Sequence, residues 1–303
     1  MDVTPWWVDD KLIFPNAMID AYKTQLQNSG LWEKNQGPRP DPAPVGGITK
    51  AQADDHFAHS YDGSLARAQL VYFNPTGGLE SASATLHTFL TGGDLCLVDV
   101  PAGAGAATLM LLCSVALKRQ VGLLPRQPLN VRILWGEISP PALEHGAALL
   151  ADVRTFLISQ AIFVTYETVE WNVLDQMSNQ IIVEKIVLAK NAHPQVLLLV
   201  CNFSGFLERS GKWKEAENGL NQLFRFCSGD MNAALWLEPD QKVVRDSLIA
   251  KIEGFLAKIL RFGRAMNAED PSEAGAASYA SPTVARLSPR VTARVMPIDL
   301  NRN

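Results

Sequence analysis

Six segments of this chain carry polar or acidic residues of types that do chemistry, five of them at the end of an apolar run. The first is Asp99-x-Pro101-x-Gly103-x-Gly105, an acid at the end of the apolar run Leu95-Cys96-Leu97-Val98, followed by a turn and a helix-forming segment from Ala106. Glycines in such a turn let backbone N–H groups approach a ligand, and the helix dipole adds partial positive charge there. Four more follow: Glu137 after Val131-Arg-Ile-Leu-Trp135, Asn172 and Asp175 after the apolar stretch from Phe163, Asn202 and Ser204 after Val196–Cys201, and Glu238 after Ala233–Leu237. The sixth, His56-x-x-His59 beside Asp54 and Asp55, puts two imidazoles on one helix face. No further His or Cys cluster completes a ligand set there, so no metal is expected and a solvated helix face is the default.

Several chemistries can be weighed for the glycine turn. A membrane span is argued against by Asp99, Pro101, Gly103 and Gly105 within the run. A GxxxxGK phosphate loop is excluded by the missing Lys. A nicotinamide-binding GxGxxG is half matched, because Thr108 stands where the third Gly or Ala belongs. An acid ending the second strand suits any adenosine cofactor, since a carboxylate accepts from both ribose hydroxyls. Glu137 follows Asp99 by about 38 residues against the usual roughly 20, an excess the loop before Val131 and a longer first helix can absorb. The bland alternative for Glu137 is a helix-start carboxylate near Ser139.

The acid before the turn resembles motif I of the class I S-adenosylmethionine-dependent methyltransferases, acid-x-Gly-x-Gly-x-Gly, with Pro101 replacing the first Gly. The resemblance runs in motif order from about Leu95 to Arg294. It implies S-adenosyl-L-methionine as cofactor, held by Asp99, Pro101, Gly103, Gly105, Glu137, Asn172, Asp175 and Asn202. Asn172 or Asp175 matches the place of the family's adenine contact. Asn202-Phe-Ser-Gly-Phe206 stands at the fourth motif, where Asn202 is the candidate to orient the acceptor through its carbonyl; no catalytic base is assigned. The segments Arg67–Asn74 and Leu237-Glu-Pro239 more faintly resemble ribosome-associated methyltransferase-like proteins. Two alternatives stand beside transfer: a cofactor-binding scaffold or sensor of the same fold, and a nicotinamide oxidoreductase.

Around these residues, apolar strands alternate with helical stretches, the pattern of a mainly parallel sheet. The expected fold is α/β: a doubly wound, mostly parallel, seven-stranded Rossmann-like sheet, helices on both faces, a C-terminal antiparallel strand pair and a helical N-terminal extension. The expected division is residues 1–93 as a cover and 94–303 as the sheet domain. In the cover, helices are expected over Asn16–Ser29, Ile48–Tyr72 with Thr49 as N-cap, and Gly78–Leu90. The breaker-rich GPRPDPAPVGG reads as a linker or strap, and Trp6-Trp7 as folding back on the body. In the second part, a long helix is expected from Gln241 to Gly263 and a flexible loop from Ala268. The segment Val284–Met296 reads as two basic edge strands. His145 is expected on a helix surface and His193-Pro194 at the turn into a strand.

Composition is ordinary for a globular protein: 303 residues, 47% hydrophobic and 19% charged, with a net charge of −4 that argues against a globally basic nucleic-acid binder. Four separated cysteines without a CxxC read as reduced core thiols, and the start of the chain lacks a signal-peptide order, so a cytoplasmic, non-membrane protein is expected. Arg261, Arg264, Arg286, Arg290 and Arg294 offer local positive charge, leaving RNA and a small molecule both open as methyl acceptor. Oligomeric state is not legible.

Overall fold

A computed structural model of the chain describes residues 4–41, 46–240, 254–255, 264–265, 272–285 and 287–301. The N-terminal part forms a small hairpin, β1 (Trp7–Val8) and β2 (Lys11–Leu12), then five helices: α1 (Asn16–Asn28), α2 (Trp32–Gln36), α3 (Lys50–His59), α4 (Tyr61–Phe73) and α5 (Glu80–Leu90). Thr49 caps α3 in a capping box with Gln52, as its sequence position predicts. The expected single helix over 48–72 is two, because the chain leaves helical geometry at Ser60.

From residue 93, strands and helices alternate: β3 (Gly93–Asp99), α6 (Ala106–Gln120), β4 (Leu129–Glu137), α7 (Pro140–Ser159), β5 (Ile162–Glu170), α8 (Gln176–Lys190), β6 (Gln195–Cys201), α9 (Ser204–Ser210), α10 (Trp213–Cys227) and β7 (Ala233–Glu238). Three more strands follow: β8 (Arg264–Ala265), β9 (Glu273–Tyr279) and β10 (Arg290–Asp299). The sheet order is β1-β2-β9-β10-β7-β6-β3-β4-β5, with β8 beside β10. Strands β3 to β7 are mutually parallel, β10 runs antiparallel to both β7 and β9, and β2 joins β9 in parallel. The seven strands from β5 to β9 are the expected doubly wound core, and the N-terminal hairpin adds a further edge to it.

Alternate residues of β3 divide the two faces. Leu95 and Leu97 join one apolar cluster with α6, α7 and the N-terminal helices; Cys96 and Val98 join another with α8 and α10. The N-terminal segment therefore shares the core of one sheet face. Trp6 folds back as expected, stacked on Phe73 with ring centroids 4.4 Å apart.

Two expectations for the C-terminal part are corrected. Much of the composition-based loop from Ala268 is strand β9, whose small residues fit beneath the N-terminal helices: a Cβ on Gly275 would lie 2.7 Å from Leu79 Cδ1. The final segment is one strand, β10, inserted between β7 and β9, and so is no edge. The helix expected over 241–263 lies outside the described residues, except for helical Gly254 and Phe255. All four cysteines are buried and free. Among the described residues no helix is long and apolar enough to cross a membrane.

Candidate functional site

The chain runs from β3 outward through β4 and β5 on one side, then returns to β6 and β7 on the other. The sheet's switch point thus lies between the carboxyl ends of β3 and β6, where open α/β sheets bind ligands. A cavity of about 490 Å³ opens there. Asp99, Pro101, Gly103, Glu137, Asn172 and Asn202 all line it; Gly105 and Asp175 do not.

Asp99 ends β3 with only 1% of its surface exposed. Its Oδ2 accepts from Thr108 Oγ1 at 2.6 Å, while its Oδ1 has no partner among the described residues. Thr108 is the residue that breaks the GxGxxG pattern, and its hydroxyl is the donor that meets the buried acid. Burial raises the Asp99 carboxyl to about 7, against the opposing pull of Thr108. The turn that follows is sewn to β4: Ala102 N–H donates to the Gly136 carbonyl at 2.9 Å, and Gly103 N–H to Glu137 Oε2 at 2.8 Å. Gly103 (φ +55°) faces open space. Gly105 (φ +70°) starts α6 and lies against the indole of Trp135, where a Cβ would approach Cζ2 to 2.7 Å. Gly105 therefore shapes the turn without meeting the cavity.

Glu137 combines the two readings its sequence position allowed. Oε1 accepts from Ser139 N–H at 3.1 Å, beside the start of α7, and Oε2 holds the glycine turn. Burial raises its pKa, partly offset by these backbone donors. Asn172 builds its own turn, accepting from Leu174 N–H at 3.0 Å. Asp175 is an exposed N-cap of α8, accepting from Ser178 N–H at 2.9 Å, and this local capping keeps it away from the cavity. Asn202 (φ +56°) follows β6, and its Oδ1 accepts from Arg67 Nη1 at 2.8 Å. The carbonyl expected to orient an amine is thus already facing a guanidinium.

The opposite wall comes from the N-terminal helices. Tyr61 and Arg67 of α4, and His56 and Phe57 of α3, line the cavity. Among the described residues the Tyr61 hydroxyl, on a residue 1% exposed, has no partner; nor has the hydroxyl of Ser139, 2% exposed, another residue lining the cavity. Burial, with Arg67 nearby, pushes the His56 imidazole down to about 4, so it is neutral at pH 7. His145 is not on a helix surface: its ring stacks on Phe57 at 4.2 Å and its Nε2 meets Asp54 Oδ1 at 2.9 Å, joining α7 to α3. Asp54, expected on a solvated face, is held below its usual pKa because hydrogen bonds from Lys50 and His145 outweigh its partial burial. His59 is buried, and no group of three or more His, Cys, Asp or Glu among the described residues is arranged to hold a metal.

Sequence reasoning missed Tyr61, Arg67 and His145 as lining residues and left Glu238 without a role. Tyr61, Ser64 and Arg67 recur at i, i+3, i+6, a polar stripe on a helix otherwise buried, and that was their available signal. Glu238, at the end of β7, accepts from the N–H groups of Phe203 and Ser204 at 2.9 and 2.8 Å, fixing the turn after Asn202.

No family model matches the chain, and no curated protein matches its sequence. Solved structures with similarity to it include a candidate class I S-adenosylmethionine-dependent methyltransferase from Listeria monocytogenes, 10% identical with a TM-score of 0.38, covering 94% of this chain and 88% of that one. The plantazolicin methyltransferase in complex with SAH is also 10% identical at a TM-score of 0.38, covering 94% and 100%. A candidate RNA methyltransferase from Pyrococcus horikoshii is 11% identical at a TM-score of 0.34, covering 73% and 84%. These are distant likenesses, and the chemistry of the cavity is read from its own residues.

Proposed function

We propose that this cavity binds S-adenosyl-L-methionine and that the protein transfers its methyl group to an acceptor. The observation carrying the reading is a set of residues lining one cavity whose buried polar atoms lack partners among the described residues: Asp99 at Oδ1, Tyr61 at its hydroxyl and Ser139 at Oγ, beside Gly103, where a Cβ would meet nothing. Buried polar groups without partners are costly, so such a set is accounted for by a polar ligand. Their chemistry fits the cofactor. The free oxygen of Asp99 suits an ammonium group, and Glu137 retains lone pairs for ribose hydroxyls while its two backbone donors fix its orientation. Asn172 keeps its amide N–H donors for a base edge, because its oxygen is used in the turn.

When bound, the cofactor would supply an electrophilic methyl group on a sulfonium, with Asp99, Glu137 and Asn172 as the residues that would hold it. The protein's contribution is then positioning and exclusion of water, which can supply much of the rate. The α3–α4 wall, clamped to α7 by the His145–Asp54 contact, supports that role for the N-terminal cover.

A second reading, a binding module without transfer, is favoured by the chemistry of the β6 tip. The Asn202 carbonyl is engaged by Arg67, burial raises the Cys201 thiol, and Ser204 is tied to Glu238. A methyl label that stays on bound cofactor in the presence of extracted cellular small molecules and RNA favours it over transfer.

Calorimetric titration with S-adenosylmethionine, S-adenosylhomocysteine and NAD tests the binding reading. Both sulfur ligands are expected to bind and NAD is not; the reverse result rejects the proposal. Glu137→Ala is expected to weaken S-adenosylhomocysteine by about tenfold or more, as loss of charge-assisted hydrogen bonds requires.

A further inference from the structure

The cavity is divided by charge. Its β3 and β4 side carries Asp99 and Glu137, whereas Arg67 and Arg209 line it near β6. Arg67 reaches in from α4 and is held by Nε to the Thr292 carbonyl at 3.0 Å and by Nη1 to Asn202 Oδ1 at 2.8 Å. Both acceptors are neutral. Among the described residues no carboxylate lies within ion-pair distance of it, whereas Arg39 has Asp62, Arg132 has Glu167 and Arg294 has Asp240. Glu238 is the acid that acts on Arg67 from a distance, and its own Oε1 is committed to Phe203, Ser204 and Trp236. His56, lowered to about 4 by burial and by Arg67, adds no second positive charge beside it at pH 7.

A partly buried guanidinium with a donor to spare and no anion beside it calls for one from outside. The turn after Asn202 adds an apolar part to the same cavity wall: Phe203 and Phe206 lie nearly parallel, 5.9 Å apart, and Trp171 abuts Phe203. Of the arginines expected to form a basic surface for RNA, Arg294 is instead paired with Asp240 and bonded to Ser272 on a strand inside the sheet.

We infer that the acceptor is a small molecule with a planar apolar body and a carboxylate or phosphate monoester, the anion paired with Arg67 and the body against Phe203 and Phe206. This rests on the methyl-transfer reading. It assigns Arg67 a specificity role at the acceptor end of the cavity, with Asn202 as the positioning residue that aims it. Arg67 is suited to the task because a guanidinium binds a carboxylate or phosphate in a two-point fork.

The test uses the full-length protein, with and without saturating S-adenosylhomocysteine, titrated with benzoate, phenyl phosphate, neutral benzamide and a single-stranded oligoribonucleotide. At least one small anion is expected to bind at least about tenfold more tightly than benzamide, and Arg67→Gln to abolish that difference. Arg67→Lys, which keeps the charge without the fork, is expected to retain part of it. S-adenosylhomocysteine affinity is expected to stay within about twofold in both variants. If the variants lose S-adenosylhomocysteine instead, Arg67 serves the cofactor and the inference is overturned. It is equally overturned if neither small anion outbinds benzamide, or if only the oligoribonucleotide depends on Arg67. Failure of S-adenosylhomocysteine to bind the unsubstituted protein rejects the underlying cofactor reading, a distinct outcome from failure of the anion arm.

Discussion

Asp99 concentrates the electrostatics of the site in one side chain. Its folded pKa of about 7 lies well above the roughly 3.9 of an unfolded aspartate. Between those values the folded chain holds the proton more firmly, so this residue's contribution to stability declines as pH rises from about 4 to 7 and is level above. Asp99→Asn removes the cost of a buried charge while keeping an acceptor for Thr108. Its stability relative to the unsubstituted protein is expected to improve by on the order of 2 kcal/mol between pH 5 and pH 8, read from urea unfolding. The same titration reaches the ligand. If ionised Asp99 receives the cofactor's ammonium group, S-adenosylmethionine affinity rises by about tenfold from pH 6 to pH 8, and Asp99→Asn flattens that profile in calorimetry.

The element that carries the site is the β3–α6 turn, and its two left-handed glycines have separable jobs. Gly105 combines φ +70° with an indole 2.7 Å from where a Cβ would lie. Gly105→Ala is expected to cost about 2–5 kcal/mol in urea unfolding, from backbone strain and overpacking against Trp135. Gly103, φ +55°, has nothing within 4 Å of that position. Gly103→Ala is expected to cost only about 1–2 kcal/mol of backbone strain. Its larger effect is expected on S-adenosylhomocysteine affinity, since the added methyl group enters the cavity. Equal losses of stability in the two variants would contradict this division.

Over the whole molecule, the N-terminal segment and the sheet are one packing problem. Leu12, Phe14, Met18, Tyr22, Phe57 and Leu65 belong to the same apolar cluster as Leu95, Leu97 and Ile133. The hairpin at the chain's start also extends the sheet through β9. A single calorimetric unfolding transition is therefore expected for the full chain, and two resolved transitions would show that the cover unfolds by itself. Removing residues 1–93 is expected to uncover that sheet face and produce a strongly dye-binding, non-cooperative species, because α4 and α1 pack directly on α6 and α7.

What the sequence determined by itself is the series of strand-end positions. Asp99, Glu137, Asn172 and Asn202 could be read because each follows an apolar run of strand length, and a parallel sheet brings those ends to one side whatever else surrounds them. Local chemistry was legible too, as in the Thr49 cap and the turn at His193-Pro194. Tertiary structure alone decided which polar atoms face the cavity. Asp175 was drawn off to cap α8, while Tyr61, Arg67 and His145 were brought in from helices distant in sequence. It also made β9 a strand, since Ala-Gly-Ala-Ala-Ser carries almost no strand preference and pairs because β10 offers it an edge and Leu79 leaves room only for small residues. The physical reason is the same in each case: backbone periodicity is local, whereas a side chain's partner is set by whatever the fold packs against it.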